Sequence, residues 1–158
     1  MLKVTHRDLI DRALAEVETL EIEAAEALLE DDDAVFIDLR DPRELEREGK
    51  VPNAFHAPRG MLEFWVDPSS PYHKEVFASG KKLVFYCQSG WRSALATKAV
   101  QDMGLERVCH IGDGYRGWKD SGAATEEVEP QAPLGRHRAS PNGQSVGLPL
   151  GARQPRLP

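Results

Sequence analysis

One run of residues constrains this chain more than any other. Residues 82–86, Lys82-Leu83-Val84-Phe85-Tyr86, are short, largely apolar and bounded by Gly80, so they read as a buried strand. From Ser93 onward, helix formers with apolar residues at helical spacing continue until Gly104 offers a stop. Between them lie Cys87-Gln88-Ser89-Gly90-Trp91-Arg92. Strand, tight loop and helix together put a cysteine at a strand's carboxyl end, where the unpaired amides of a curved loop and a helix start surround it. Such amides favour negative charge, on the sulfur and on anionic oxygens of whatever it attacks.

Apolar runs and helical patterns alternate elsewhere too. Thr5 caps an expected helix through Leu9, Ile10, Ala13, Leu14 and Val17. Residues 19–22 are a weak strand candidate, 23–30 a helix, 34–39 a buried strand, and Asp41-Pro42 opens a helix that Gly49 ends. Residues 54–57 read as a third strand, and 107–111 as another. The aromatic stretch after Arg59 is too broken by Pro68 and Pro71 for one long helix. Strands alternating with helices predict an α/β fold, a parallel β-sheet flanked by helices on both faces, with ligands outside the carboxyl ends of the strands. Asp31-Asp32-Asp33 ends a helix against its dipole and marks a solvated turn rather than a metal site.

Charge divides the chain. The net charge is −6, yet residues 130–158 carry four arginines and no acid, which leaves −10 on residues 1–129. An acidic body argues against nucleic acid as the main partner. The same tail holds six prolines and four glycines without an apolar period, the composition of a segment that does not repay its ordering entropy. The expected organisation is an N-terminal helical extension over 1–18, one domain over 19–125 and a disordered tail over 126–158. No apolar stretch approaches the roughly 20 residues of a spanning helix and no secretion signal opens the chain. The expected setting is therefore cytoplasmic, without a membrane, with Cys87 and Cys109 both free.

Asp38-Leu39-Arg40 after a strand, Glu44, Val51-Pro52, the Cys87 loop, Gly114 and Trp118 fall in one order, and together they resemble a single-domain rhodanese over about residues 19–122. The resemblance implies a rhodanese-like sulfurtransferase needing no cofactor. Cys87 would be the catalytic residue, taking a sulfane sulfur from thiosulfate or another small anionic donor, or from a protein persulfide partner, holding it as a persulfide and giving it to a thiol or cyanide acceptor. The chain departs from the family pattern where its usual Gly-His-Ile-Pro-Gly-Ala reads Gly49-Lys50-Val51-Pro52-Asn53-Ala54, and where Asp113 replaces the first glycine of a pair. Asn53 and Asp113 are both expected to tolerate a left-handed backbone and preserve their turns.

The implied chemistry suits the residues. A thiolate attack on the outer sulfur of thiosulfate develops charge on departing sulfite, which the amides of Gln88, Ser89, Gly90, Trp91, Arg92 and Ser93, the Arg92 guanidinium and the Ser93 hydroxyl are placed to meet. Phosphatases and arsenate reductases of the same fold place five residues between cysteine and arginine; Cys87 and Arg92 have four, and Ser93 stands where that arginine would fall. The remaining alternative is a binding or redox-sensing module that keeps the loop without turnover. Arg59, after the Pro58 kink, is a candidate donor contact, with Phe64 and Trp65 as pocket walls. Asp38 and Arg40 are read as structural, with Arg40 facing Glu44. Cys109 and His110 should point to opposite sheet faces, Cys109 into the core. Trp118 is a core anchor, and the scattered His56, His73 and His110 suggest no metal.

Overall fold

The computed structural model describes residues 1–130; the expectation for the tail beyond them lies outside the described residues. Thr5 and Asp8 close a reciprocal cap, Thr5 Oγ1 accepting from Asp8 N and Asp8 Oδ2 from Thr5 N, and α1 follows over His6–Glu16. Next come β1 (Glu18–Leu20), α2 (Ile22–Glu26), β2 (Ala34–Asp38), α3 (Pro42–Glu48) and β3 (Phe55–His56). Then come a 3-10 turn and α4 (Leu62–Val66), β4 (Lys82–Tyr86), α5 (Trp91–Asp102), β5 (Val108–Ile111) and α6 (Gly114–Asp120). Two helices differ from expectation: α2 stops at Glu26 instead of Glu30, and α5 begins two residues before Ser93, because Gly90 takes a left-handed turn at its start.

The five strands form one parallel sheet in the order β1-β5-β4-β2-β3, so the expected parallel α/β architecture is the one found. Its register sets which side chains share a face. Phe55, Ile37, Phe85, His110 and Thr19 align as successive partners across the sheet, one row apart from Val84, Cys109 and Glu18. Alternation sends the two rows to opposite faces. Ile37, Leu83 and Phe85 pack with Ala96 and Val100 of α5 and Leu62 of α4; Phe36, Val84, Cys109 and Ile111 pack with Ala25 of α2 and Tyr115 and Trp118 of α6. Burial on both faces explains why the strands read as continuous apolar runs. Trp118, fully buried, donates Nε1 to Ala124 O at 2.8 Å and meets Phe36 edge-on.

Beyond α6 the chain returns to pair with α3's end. Lys50 and Glu126 exchange backbone hydrogen bonds at 2.9 Å each and an ion pair at 3.1 Å. Asp33, last of the three aspartates, pairs with Arg107 at 2.7 Å in an exposed turn.

Candidate active site

Cys87 follows β4, and two neighbouring segments fix its loop. The start of α6 donates Tyr115 N to Cys87 O at 2.8 Å and Arg116 N to Gln88 O at 3.1 Å, engaging carbonyls that would otherwise compete for the site. Gly114 permits this approach, with φ +63° and no room for a Cβ, which would stand 2.6 Å from Gln88 O. The expectation for Asp113 needs correction: its φ is −84°, because the left-handed step falls on Gly114, whereas Asn53 does take φ +60°.

Three groups reach the Cys87 sulfur among the described residues: Gly90 N at 3.2 Å, Ser93 N at 3.4 Å and Ser93 Oγ at 3.6 Å. Of the six loop amides expected to face inward, these two do. Gly90 delivers its amide by standing at φ +99°. Cys87 itself is 1% exposed, Gln88 and Arg92 are half-buried, and Ser89 and Trp91 are exposed. Trp91 lies outside the loop under α1, its ring 5.2 Å from that of His6 and 5.6 Å from the Arg7 guanidinium. Gln88 points back into the fold, where its Oε1 accepts from Arg40 Nη1 at 3.2 Å.

Arg92 turns to α3. Its Nη1 and Nη2 each donate to one oxygen of Glu44 at 2.8 Å, and Glu44 also accepts from Asp41 N at 2.8 Å. The Arg92 hydrogen bonds outweigh partial burial and hold the Glu44 carboxyl down at about 2. This corrects the Arg40–Glu44 pairing. Arg40 is fully buried and forks onto Asp38, with Nε and Nη2 at 3.1 and 2.8 Å; Nη2 also reaches Gly49 O, and the Tyr115 ring lies 4.1 Å away. Glu44 is left to Arg92 because the short Asp38–Arg40 spacing closes on itself first.

Arg59 pairs with Glu63 one helical turn on. Phe64 is exposed, and Trp65 sits edge-on to Phe55 at 6.1 Å beneath the Lys74 ammonium. Cys109, on the far face, is a core thiol that burial pushes up to about 12. His110 faces α5, and its Nδ1 lies 2.9 Å from Ser93 Oγ. The sequence reading missed that contact, although strand alternation had already placed His110 opposite Cys109. No group of three or more metal-ligating side chains is gathered among the described residues, and no described helix is long and apolar enough to cross a membrane.

A family model for the Rhodanese-like domain matches residues 21–121. Among solved structures, a Rhodopseudomonas palustris protein of unknown function, described as a possible tyrosine phosphatase, aligns with TM-score 0.78 and 48% identity over 80% of this chain and 97% of its own. The polysulfide-sulfur transferase homodimer of Wolinella succinogenes aligns with TM-score 0.58 and 28% identity, over 80% of this chain and 90% of its own. Among curated proteins, the tRNA uridine(34) hydroxylase of Cronobacter sakazakii is 35% identical over 95 residues, which are 59% of this chain and 26% of the hydroxylase. The chain spans 59% of one further curated relative and 24% of another hydroxylase, less than two thirds of each.

Proposed function

The chain belongs to the rhodanese-like family, and from that membership we propose that it is a sulfurtransferase working through a Cys87 persulfide. The observation that carries the reading is the pair of amide donors, Gly90 N and Ser93 N, at 3.2 and 3.4 Å from Cys87 Sγ, with Ser93 Oγ at 3.6 Å as the acceptor of the thiol hydrogen. The amides stabilise negative charge on a sulfur at that point, both on the attacking thiolate and on the thiolate released when the persulfide's outer sulfur is taken.

The reaction balances without a cofactor. The Cys87 thiolate attacks the outer sulfur of thiosulfate; the S–S bond of the donor breaks, its electron pair leaves with sulfite, and Cys87 carries the persulfide. A thiolate or cyanide then attacks the terminal sulfur and regenerates the Cys87 thiolate as leaving group. A persulfide donor serves the first step in the same way. Gly90, Ser93 and Arg92 bind the anionic donor and Ser89 borders the rim, while Gln88 braces the loop against Arg40 and Trp91 braces it against α1; Arg59 is a further candidate donor contact. Because Cys87 is 1% exposed, the rim must open for donor and acceptor.

The 48% identical relative described as a possible tyrosine phosphatase raises phosphoryl transfer as a competitor. One feature favours sulfur: four residues separate Cys87 from Arg92, one fewer than in the phosphatase loop, and Ser93 stands where the phosphatase arginine would fall. The near-complete burial of Cys87 favours a second reading, a binding or redox-sensing module without turnover.

One experiment separates the three. Purified protein is incubated with thiosulfate and weighed intact before and after a reductant, and its hydrolysis of an aryl phosphate is measured. A reductant-reversible gain of one sulfur atom, lost in Cys87→Ser, with no phosphate release, is the expected result. No sulfur gain with any donor refutes the sulfurtransferase; phosphate release that depends on Cys87 establishes the phosphatase.

A further inference from the structure

A line of hydrogen bonds runs from the buried sulfur to the opposite edge of the sheet. Cys87 Sγ lies 3.6 Å from Ser93 Oγ, Ser93 Oγ 2.9 Å from His110 Nδ1, and His110 Nε2 2.9 Å from Thr19 Oγ1. The register builds this line. Thr19 and His110 are paired residues of β1 and β5, and His110 is paired with Phe85 of β4, two residues before Cys87 and on the same face. Ser93 and His110 are buried, whereas Thr19 is exposed.

With Cys87 protonated, its thiol donates to Ser93 Oγ and the Ser93 hydroxyl donates to Gly90 O at 3.2 Å; once the sulfur is a thiolate, the single Ser93 hydrogen has three acceptors within reach, Gly90 O, His110 Nδ1 and the sulfur. Which one receives it depends on the imidazole. If Nδ1 carries the ring proton, it donates to Ser93 Oγ and leaves the competition, and a charged sulfur outbids a neutral carbonyl. The Thr19 hydroxyl, 2.9 Å from Nε2, is placed to donate there; in that arrangement Nδ1 keeps the ring proton and each hydrogen along the line points toward Cys87.

We propose that His110 is a positioning residue that acts through Ser93, turning the Ser93 hydroxyl onto the Cys87 sulfur as a third donor, with Thr19 setting its tautomer. Burial holds the ring proton affinity down to about 4, so His110 is neutral near pH 7 and works by direction rather than charge. The charged groups around the sulfur are Arg92 of α5 with Glu44 of α3 and, against the loop through Gln88, Arg40 with Asp38. On the imidazole, Ser93 and Thr19 supply neutral hydroxyls. The inference deepens the sulfur-transfer reading at the same site.

The rate of Cys87 alkylation by iodoacetamide across pH reads the thiolate without any sulfur donor, and Cys109, held at about 12, stays silent. His110→Leu is expected to raise the midpoint of that profile by about one pH unit, as loss of a hydrogen bond to an anion implies. Ser93→Ala should do the same, and the double variant should add nothing further. His110→Asn, which keeps an N–H close to the position of Nδ1, should restore most of the shift, and Thr19→Val, at the exposed end, should give a smaller shift in the same direction. A wild-type midpoint in folded His110→Leu, or an additive double variant, overturns the proposal. If the leucine variant does not fold, an unshifted midpoint in Thr19→Val overturns it instead. Should the wild-type protein take no sulfur from thiosulfate or from a persulfide donor while these shifts appear, the sulfur-transfer reading fails and the role of His110 stands.

Discussion

Arg92 and Glu44 are locked by two parallel hydrogen bonds of 2.8 Å, which tie the first turn of α5 to the first turn of α3 across the mouth of the cysteine loop. The guanidinium stays 40% exposed, with Cys87 and Asp38 adding to its charge stabilisation after the dominant Glu44 bonds. In the sulfur transfer proposed above, a cation in that position favours an anionic donor and the charge on its leaving group. Arg92→Ala should therefore lower kcat/KM with thiosulfate by about 10- to 100-fold, roughly 1–3 kcal/mol of transition-state stabilisation. Steady-state kinetics check this, and unchanged kinetics remove Arg92 from the mechanism.

The same pair gives the fold an acid-sensitive joint. In the unfolded chain the Glu44 carboxyl titrates near 4.5, and in the folded protein at about 2. The stabilisation is thus fully present above pH 4.5 and is lost as pH falls toward 2. Because Arg92 is partly exposed, the contribution is discounted to about 1 kcal/mol. Urea unfolding at a series of pH values should show Glu44→Gln less stable than wild type at neutral pH, with the two curves converging in acid. A constant gap at every pH would assign the loss to something other than the ion pair.

Gly90 is the backbone position on which the loop most depends. Its φ of +99° suits glycine, and an added Cβ would fall 2.1 Å from Gly112 O, so β5's end and the loop cannot both hold their places around alanine. Gly90→Ala should cost at least about 2 kcal/mol and displace the amide that meets the sulfur. Thermal unfolding and the alkylation rate of Cys87 measure the two effects; a stable variant with unaltered thiol reactivity would show that the loop tolerates the shift.

The alternation of apolar runs and helical patterns was enough to place β2, β4 and β5, because strands buried on both faces cannot disguise themselves as surface, whereas the edge strand β1, with Glu18 and Thr19 exposed, gave only a weak pattern shifted to 19–22. The Cys87 loop was legible for the same reason, as its glycine and polar residues interrupt two strongly patterned elements. Arg92 was read as a substrate cation, and its bond to Glu44 escaped notice because 48 residues separate the two and local spacing favoured Arg40 as the partner. Only the parallel register, which no local pattern encodes, puts Thr19 beside His110, and His110 within reach of Ser93. The left-handed step at Gly114 rather than Asp113 likewise follows from the approach of α6 to the Cys87 carbonyl, a tertiary demand.

Arg40 and Asp38 form a charge pair with both side chains at 0% exposure, and neither can be removed alone at low cost. Asp38 also accepts from Tyr86 Oη at 2.6 Å, while Arg40 reaches Gln88 Oε1 next to Cys87, so the pair joins the floor of the sheet to the loop. Arg40→Met leaves a buried carboxylate with its cation gone and should cost about 3–5 kcal/mol. Arg40→Met combined with Asp38→Asn removes the buried Asp38 carboxylate together with its cation and leaves only Glu48 Oε2, 4.0 Å from Arg40 Nη1, without that partner, so the double variant should recover part of the loss instead of adding to it. Denaturant unfolding of the two single variants and the double variant completes the cycle. Additive losses would mean that the two side chains stabilise the fold separately, through packing against Tyr86 and Tyr115 rather than through their charges.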